Sequence, residues 1–150
     1  MIACQDLRTG NIVLVNNRLR KISMISSKQT LAGNSEVGVE STGNDESMSY
    51  PVEDILPVPL NEAILEQCHF TFHPYFKFWQ LINDEKGRTE MDIDPDYNLI
   101  DFMRRPIIKN ITSLHQLQNI YYTLFNKELD VDVDRTILVN GRVREAVATN

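Results

Sequence analysis

The sequence has few of the residues that mark secreted, membrane-spanning or fibrous proteins. Its 150 residues include two cysteines, six glycines and six prolines, so neither a disulfide scaffold nor a collagen-like repeat fits. No stretch approaches the roughly 18 consecutive apolar residues of a membrane span, and no basic start precedes an apolar run. Cys4 and Cys68 form no CxxC pair, which predicts free thiols. We therefore expect a cytoplasmic protein with no membrane partner.

Positive charge is also scarce, and it is unevenly distributed. The chain has 15 basic and 21 acidic residues, a formal net charge of −6, which argues against a uniformly basic nucleic-acid binder. Residues 1–30 nevertheless hold five bases and one acid. A chain of this length folds as one ordinary domain or two small ones. The charge pattern predicts a polarised molecule with a basic N-terminal region.

The first third of the chain has β-strand character. An apolar run at residues 12–15 precedes Asn16-Asn17, and Asn tolerates the positive φ of a tight turn, so residues 12–25 predict a hairpin. A weaker strand follows at residues 36–40, and the polar tract at 41–49 predicts a flexible loop. We expect a β-rich N-terminal subdomain at 1–49, resembling a small SH3-type barrel, followed by a subdomain at 50–150, or a single compact unit.

The middle of the chain predicts a short helix and an antiparallel sheet. Asn61 is a good N-cap for a helix that continues to Cys68. The aromatic-rich residues 69–78 predict strand, and a turn at 83–87 leads into a strand at 88–93. Further strand segments are expected at Tyr97–Phe102 and Pro106–Ile108.

Residues 113–125 give the strongest local signal. Ser113 and Gln116 form a capping-box pattern, and Asn126 is suited to end the helix. The predicted buried stripe comprises Leu114, Leu117, Ile120, Tyr121, Leu124 and Phe125. The predicted outward face comprises His115, Gln116, Gln118, Asn119, Tyr122 and Thr123. Such a polar but almost uncharged face is unusual for an exposed helix.

The C-terminal region returns to β character. Residues 136–139 and 142–147 flank Asn140-Gly141, the strongest two-residue hairpin signal in the chain. If this hairpin has no partner within the chain, it is an adhesive edge that predicts a homo-oligomer. Taken together, the predicted fold class is α+β, with a β-rich N-terminal segment and an antiparallel sheet covered by the amphipathic helix at 113–125.

The patterns that would indicate catalysis or metal binding are incomplete. The acidic runs that begin at Asp92 and Asp130 lack the glycine and the final glutamate of a calcium loop, so they predict solvated turns. His69 and His73 lie on an extended segment without a second ligand pair, which disfavours zinc. The common nucleophile, metalloprotease and phosphate-loop motifs are absent. We predict no catalytic residue, no metal ligand and no cofactor.

Two groups of residues are candidates for binding. The first is basic and suits nucleic acid or an acidic partner; its members are Arg18, Arg20, Lys21 and Lys28. The alternative for this group is a solvated edge strand whose charges prevent unwanted pairing. The second group combines exposed aromatic and polar helix residues and suits a protein partner; its members are Tyr75, Trp79, His115, Gln116, Asn119 and Tyr122.

Three segments resemble a family of small uncharacterised proteins. They are DLRTGNIVLVNNRLRKI at 6–22, ILPVPLNEAILEQCHF at 55–70 and ITSLHQLQNIYYTLFNKELD at 111–130, together about a third of the chain. Similar segments occur in the same order in proteins of phage and mobile-element regions in anaerobic gut bacteria. The resemblance implies an accessory role encoded by such an element and assigns no catalytic residues.

These observations rank three functions. The first is a non-catalytic protein-binding or assembly accessory protein that contacts a protein partner or a second copy. The alternative is a nucleic-acid-binding accessory protein that uses the basic hairpin. The third is a small hydrolase whose site no motif reveals.

Overall fold

The chain divides into two compact units. The structure, a computed structural model, describes residues 2–26, 36–39, 48–83, 85–132, 136–139 and 142–145. The first unit comprises Met1–Pro59, Ser113–Leu129 and Val133–Asn150. The second unit comprises Leu60–Thr112 and Asp130–Asp132. The main segment of the second unit is therefore inserted between two segments of the first.

Antiparallel strands dominate the described residues. The strands are β1 (Ile12–Val15), β2 (Arg18–Ser26), β3 (Glu36–Val39), β4 (Met48–Pro51), β5 (Thr71–His73), β6 (Phe78–Asn83), β7 (Arg88–Ile93), β8 (Leu99–Ile100), β9 (Pro106–Ile108), β10 (Thr136–Val139) and β11 (Arg142–Glu145). The α-helices are α1 (Glu62–Gln67) and α2 (Leu114–Phe125). Neither helix is long and apolar enough to cross a bilayer. The predicted α+β class is confirmed.

The first unit contains a four-stranded sheet in the order β1-β2-β3-β4. The predicted hairpin at its start is confirmed, because Asn16 and Asn17 have φ of 51° and 60° and connect β1 to β2. This turn geometry matches the twist of the strands it joins. The apolar core of the unit is formed by Ile2, Leu7, Val13, Val15, Ile22, Val37, Val39 and Ile55.

Two expectations about the first unit need correction. The sheet begins with β1 and ends with β4, so the described residues contain an open sheet and no SH3-like barrel. In addition, α2 belongs to the first unit and contacts β1. The helix was expected to cover a sheet within a 50–150 subdomain, whereas the observed division places it with the N-terminal strands. Local periodicity predicts a helix but does not say which sheet the helix packs on.

The second unit contains a five-stranded sheet in the order β5-β6-β7-β8-β9. The short helix predicted before it is confirmed, because the Asn61 side chain accepts a hydrogen bond from the Ile64 N–H at 2.9 Å. The aromatic segment differs from the expected single strand, since a turn at residues 74–77 divides it into β5 and β6. Its buried residues include Ile64, Leu65, Phe70, Trp79, Leu81, Met91, Ile93 and Leu99.

Two predicted segments are only partly described. The C-terminal hairpin is confirmed in its strands, since β10 pairs antiparallel with β11, and β10 contacts β2 of the same chain. Its turn, Asn140-Gly141, lies outside the described residues. Of the loop predicted at 41–49, residues 41–47 also lie outside them, whereas Met48 and Ser49 belong to β4.

Candidate functional site

The basic residues predicted as a contact do not form one continuous exposed group. Arg18 and Lys21 are exposed, Arg20 is half-buried, and Lys28 lies outside the described residues. β2 lies between β1 and β3 in the sheet, so the alternative of a charge-protected edge strand is wrong. On this strand Leu19 and Ile22 point into the unit; Arg20 and Lys21 lie between them and Arg18 precedes them.

The two predicted aromatic contacts have opposite environments. Tyr75 is 82% exposed, whereas Trp79 is only 6% exposed. The Trp79 ring lies 5.3 Å from the ring of Phe72, on the face of β6 that also buries Leu81. Trp79 is therefore a core residue, and Tyr75 alone of this pair is available to a partner.

The predicted outer face of α2 is partly buried. His115 is 5% exposed and Gln118 is 1% exposed, whereas Leu124, predicted on the buried stripe, is 56% exposed. Gln116 and Tyr122 are exposed and Asn119 is half-buried. The expected orientation is thus wrong for His115, Gln118 and Leu124, because hydrogen bonds as well as apolar contacts determine how this helix docks.

Gln118 provides the central contact between α2 and the N-terminal strand. Its side-chain Oε1 accepts a hydrogen bond from the Ile12 N–H at 2.8 Å, and its Nε2 donates to the Gly10 carbonyl at 3.1 Å. One amide therefore satisfies two backbone groups where β1 begins. Because a buried backbone group without a partner is costly, this pairing fixes the position of the helix.

Asn119 extends the same network. Its Oδ1 accepts from Asn11 Nδ2 at 2.8 Å and from Arg8 Nε at 3.3 Å, and its Nδ2 donates to the Asp6 carbonyl at 3.0 Å. Arg8 in turn pairs with Glu128 through its terminal nitrogens. The predicted partner contact Asn119 therefore already binds within the chain.

His115 is a buried imidazole with an incomplete hydrogen-bond set. Its Nδ1 has no hydrogen-bond partner within the described residues. Burial lowers the pKa of His115, and the nearby Asp6 carboxylate opposes this shift only partly. The neutral imidazole is therefore the form that the first unit accommodates.

The His115 shift predicts acid sensitivity. Its folded-state pKa lies below the unfolded value of about 6.5, so the unfolded chain takes up the proton first. The stability contributed by the neutral imidazole is complete above that unfolded pKa, and it should fall as pH decreases below it. Urea unfolding at neutral and mildly acidic pH, followed by circular dichroism, measures this loss. Glutamine does not titrate, so the free energy of unfolding of His115→Gln should depend less on pH than that of the control His73→Gln. An equal dependence on pH in the two variants would contradict the role of His115.

The acidic turns of the second unit bind their own backbone. Asp94 Oδ1 accepts from the Asp96 N–H at 3.0 Å and from the Asn98 N–H at 2.9 Å.

The histidines considered for zinc have separate partners. His69 Nε2 lies 3.2 Å from Asp130 Oδ2, and His73 Nδ1 accepts from the Phe76 N–H at 3.4 Å. Asp94 and His73 therefore stabilise turns, whereas His69 pairs with a carboxylate distant in sequence.

Two turns of the second unit present large apolar side chains to solvent. In the turn at 74–77, Tyr75 and Phe76 pack with ring centroids 4.9 Å apart. In the turn at 101–105, Phe102 is 89% exposed and Met103 is 61% exposed. The Arg104 guanidinium joins the turns by lying 4.5 Å from the centre of the Phe76 ring. We call Tyr75, Phe76, Phe102, Met103 and Arg104 the aromatic surface.

The backbone beneath the aromatic surface is well defined. Asp101 Oδ1 accepts from the N–H groups of Met103 and Arg105, both at 2.9 Å, and its Oδ2 accepts from Arg105 Nε at 3.0 Å. Hydrogen bonds from Arg105, the backbone one foremost, hold the pKa of Asp101 below its usual range. On the other turn, the Lys77 N–H donates to the His73 carbonyl at 2.8 Å. Both turns are thus preorganised.

Sequence reasoning identified Tyr75 in this surface and missed Phe102, Met103 and Arg104. Residues 97–102 were expected to form a strand, which would make Phe102 a sheet residue. The signal that could have corrected this is the order of residues 101–106, Asp-Phe-Met-Arg-Arg-Pro. An Asp at the start of a turn and a Pro at the next strand are common turn signals.

Comparison with known protein families, with curated proteins and with solved structures finds no match for this chain.

Proposed function

We propose that this chain is a non-catalytic protein-binding accessory protein of a phage or mobile element. The proposed binding site is the aromatic surface of the second unit. The observation that carries the proposal is the exposure of Tyr75, Phe102 and Met103 on two adjoining turns. Clustered apolar side chains of this size on a soluble unit usually mark an interaction site.

The chemistry of the surface supports a protein partner. Aromatic residues, methionine and arginine are the types enriched in the centres of protein interfaces. All three types occur in the aromatic surface, and its two turns are held by backbone and carboxylate hydrogen bonds. A preorganised surface loses less conformational entropy on binding than a flexible one does. The accessory role in a phage or mobile element is what the resemblance of three segments implies.

The basic hairpin is a weaker basis for function. Only Arg18 and Lys21 of the four candidate cations are exposed within the described residues. Affinity for nucleic acid depends on the number of phosphates neutralised, so two cations support only weak binding. The net charge of −6 also argues against phosphate binding over the whole surface of the chain.

Selection from a random peptide library tests the proposal without assuming a particular partner. We expect peptides selected on the wild-type protein to lose about tenfold or more in affinity on Phe102→Ser or Tyr75→Ser, as for central interface aromatics. The matched control is Leu124→Ser, which removes an exposed apolar residue of α2 in the first unit and should leave affinity unchanged. Peptides that bind all three variants equally would refute the proposed site.

A further inference from the structure

The two turns of the aromatic surface and the residues next to them in sequence carry positive charge. The segments 71–78 and 101–110 contain the bases Lys77, Arg104, Arg105 and Lys109 and one acid, Asp101. Their formal charge is therefore +3 in a chain whose total is −6. Lys77, Arg104 and Lys109 are exposed, whereas Arg105 binds the acid of its own turn. Lys77 and Arg104 lie on the two turns themselves, so the surface offers two accessible cations beside exposed apolar side chains.

Arg104 occupies the centre of this arrangement. Its guanidinium lies 4.5 Å from the centre of the Phe76 ring and 5.9 Å from that of Phe78. A guanidinium held over an aromatic ring by its charge still has several N–H donors to offer a ligand. A carboxylate can accept two of these N–H groups at once. A carboxylate bound in this way would hold the next apolar side chain of the partner against the exposed aromatic rings.

We infer that the partner binds through an acidic segment whose carboxylates alternate with aromatic or aliphatic side chains. This inference rests on the proposed function and specifies the partner of the same surface. Charge complementarity at an interface chiefly increases the association rate and the discrimination between partners. An acidic segment would meet Lys77 and Arg104, and its apolar side chains would cover Phe102 and Met103.

Other occupants fit the surface less well. A second copy bound through the same surface would bring two positively charged surfaces together, which is unfavourable. Single-stranded nucleic acid favours an array of aromatic rings for base stacking, whereas Met103 and Ile107, both 61% exposed, provide aliphatic contacts instead. These differences favour an acidic protein segment.

Fluorescence anisotropy with defined synthetic peptides tests the inference. The probe is a short peptide in which Glu alternates with Phe and Leu; the matched probe has Lys at every Glu position. We expect the acidic peptide to bind the full chain at least about tenfold more tightly than the basic one, with affinity that falls as salt is added. Arg104→Ser should weaken its binding about tenfold, and Arg104→Lys, which retains charge without the planar fork, should restore part of it.

The control is Arg88→Ser, which removes another exposed arginine of the second unit, at the start of β7, and should leave binding unchanged. Circular dichroism confirms that each variant is folded. Equal loss on Arg88→Ser and Arg104→Ser would overturn the inference, because it would indicate a general charge effect. Equal affinity for the two peptides would also overturn it.

The two proposals fail differently. If library peptides depend on Phe102 but carry no excess of Asp or Glu, the acidic partner is excluded and the binding surface stands. If no peptide depends on Phe102 or Tyr75, both proposals fall. Three further results would overturn the inference and identify another occupant of the surface. They are preferential binding of a thymidine oligonucleotide, preferential binding of phosphatidylserine-containing vesicles, and concentration-dependent dimerisation. Each counts only if Phe102→Ser abolishes it.

Discussion

Replacing Gln118 by Ala is expected to lower the free energy of unfolding of the first unit by about 3 kcal/mol, because one buried and one partly buried backbone group lose their partner and a cavity remains. The groups are the Ile12 N–H and the Gly10 carbonyl. Urea unfolding followed by circular dichroism measures the change in stability. Hydrogen exchange of the Ile12 amide is the more specific measurement, since this amide donates directly to Gln118.

The matched control for Gln118→Ala is Leu124→Ala on the same helix. Leu124 is 56% exposed, so its truncation should change stability by no more than about 0.5 kcal/mol. Gln118→Glu retains an acceptor for the Ile12 N–H but replaces the donor to Gly10 with a charge, and it should also destabilise the unit. Unchanged protection of the Ile12 amide in Gln118→Ala would show that the side chain does not hold the strand.

The Cys68 thiol is expected to react with Ellman's reagent at least about 1,000-fold more slowly than an accessible thiol at pH 8, because its thiolate is scarce. Cys68 is 1% exposed. Burial, with a smaller contribution from the Asp130 charge, raises the pKa of Cys68 to about 12. Cys4, which is partly exposed, provides the internal comparison. Absorbance measurements on Cys4→Ser and Cys68→Ser, each retaining one thiol, separate the two rates.

Denaturant is the control for this reactivity. Both single-cysteine variants should react at similar rates once unfolded, whereas comparable rates in the folded proteins would rule out a buried Cys68. The same pKa implies a loss of stability in alkali. Since the folded-state pKa of Cys68 exceeds the unfolded value of about 8.5, the stability contributed by the buried neutral thiol is complete below about pH 8.5 and disappears as pH rises toward 12. Cys68→Ala should remove this dependence.

Local sequence signals predicted most of the secondary structure. Asn16-Asn17 predicted the first hairpin, Asn61 the start of α1, and Asn126 the end of α2; φ of 53° at Asn126 confirms the last. These features depend on a few adjacent residues. Ser113 also begins α2 as predicted, but its hydroxyl makes no capping hydrogen bond. The position of a helix end was therefore more predictable than the interaction that supports it.

The helix docking was not predictable from periodicity alone. A count of apolar residues places Leu124 inside and Gln118 outside, whereas the structure has the opposite arrangement. The partners of Gln118 lie more than a hundred residues earlier in the chain, so no local pattern identifies them. The scarcity of charge on that helix face was a usable signal, because amide side chains can satisfy backbone groups in a buried contact.

The candidate site was predictable only in part. Tyr75 was identified because it lies in an aromatic-rich segment, but Trp79 in the same segment is buried. Alternation would place these residues, four positions apart, on one face; they differ because the turn at 74–77 separates Tyr75 from the strand that contains Trp79. The contribution of residues 101–105 depends on the contact between Arg104 and Phe76, which joins turns about 28 residues apart and leaves no trace in local composition.

The insertion of the second unit affects the order in which the protein can fold during synthesis. The Leu60 N–H donates to the Thr112 carbonyl at 3.0 Å, so the segment at 60–112 starts and finishes at neighbouring points and can fold while translation continues. The first unit needs α2, which emerges later. At a synthesis rate of about 5–20 residues per second, several seconds pass between the synthesis of its first four strands and that of Gln118. During that interval the nascent chain exposes the start of β1 to chaperones and to other chains.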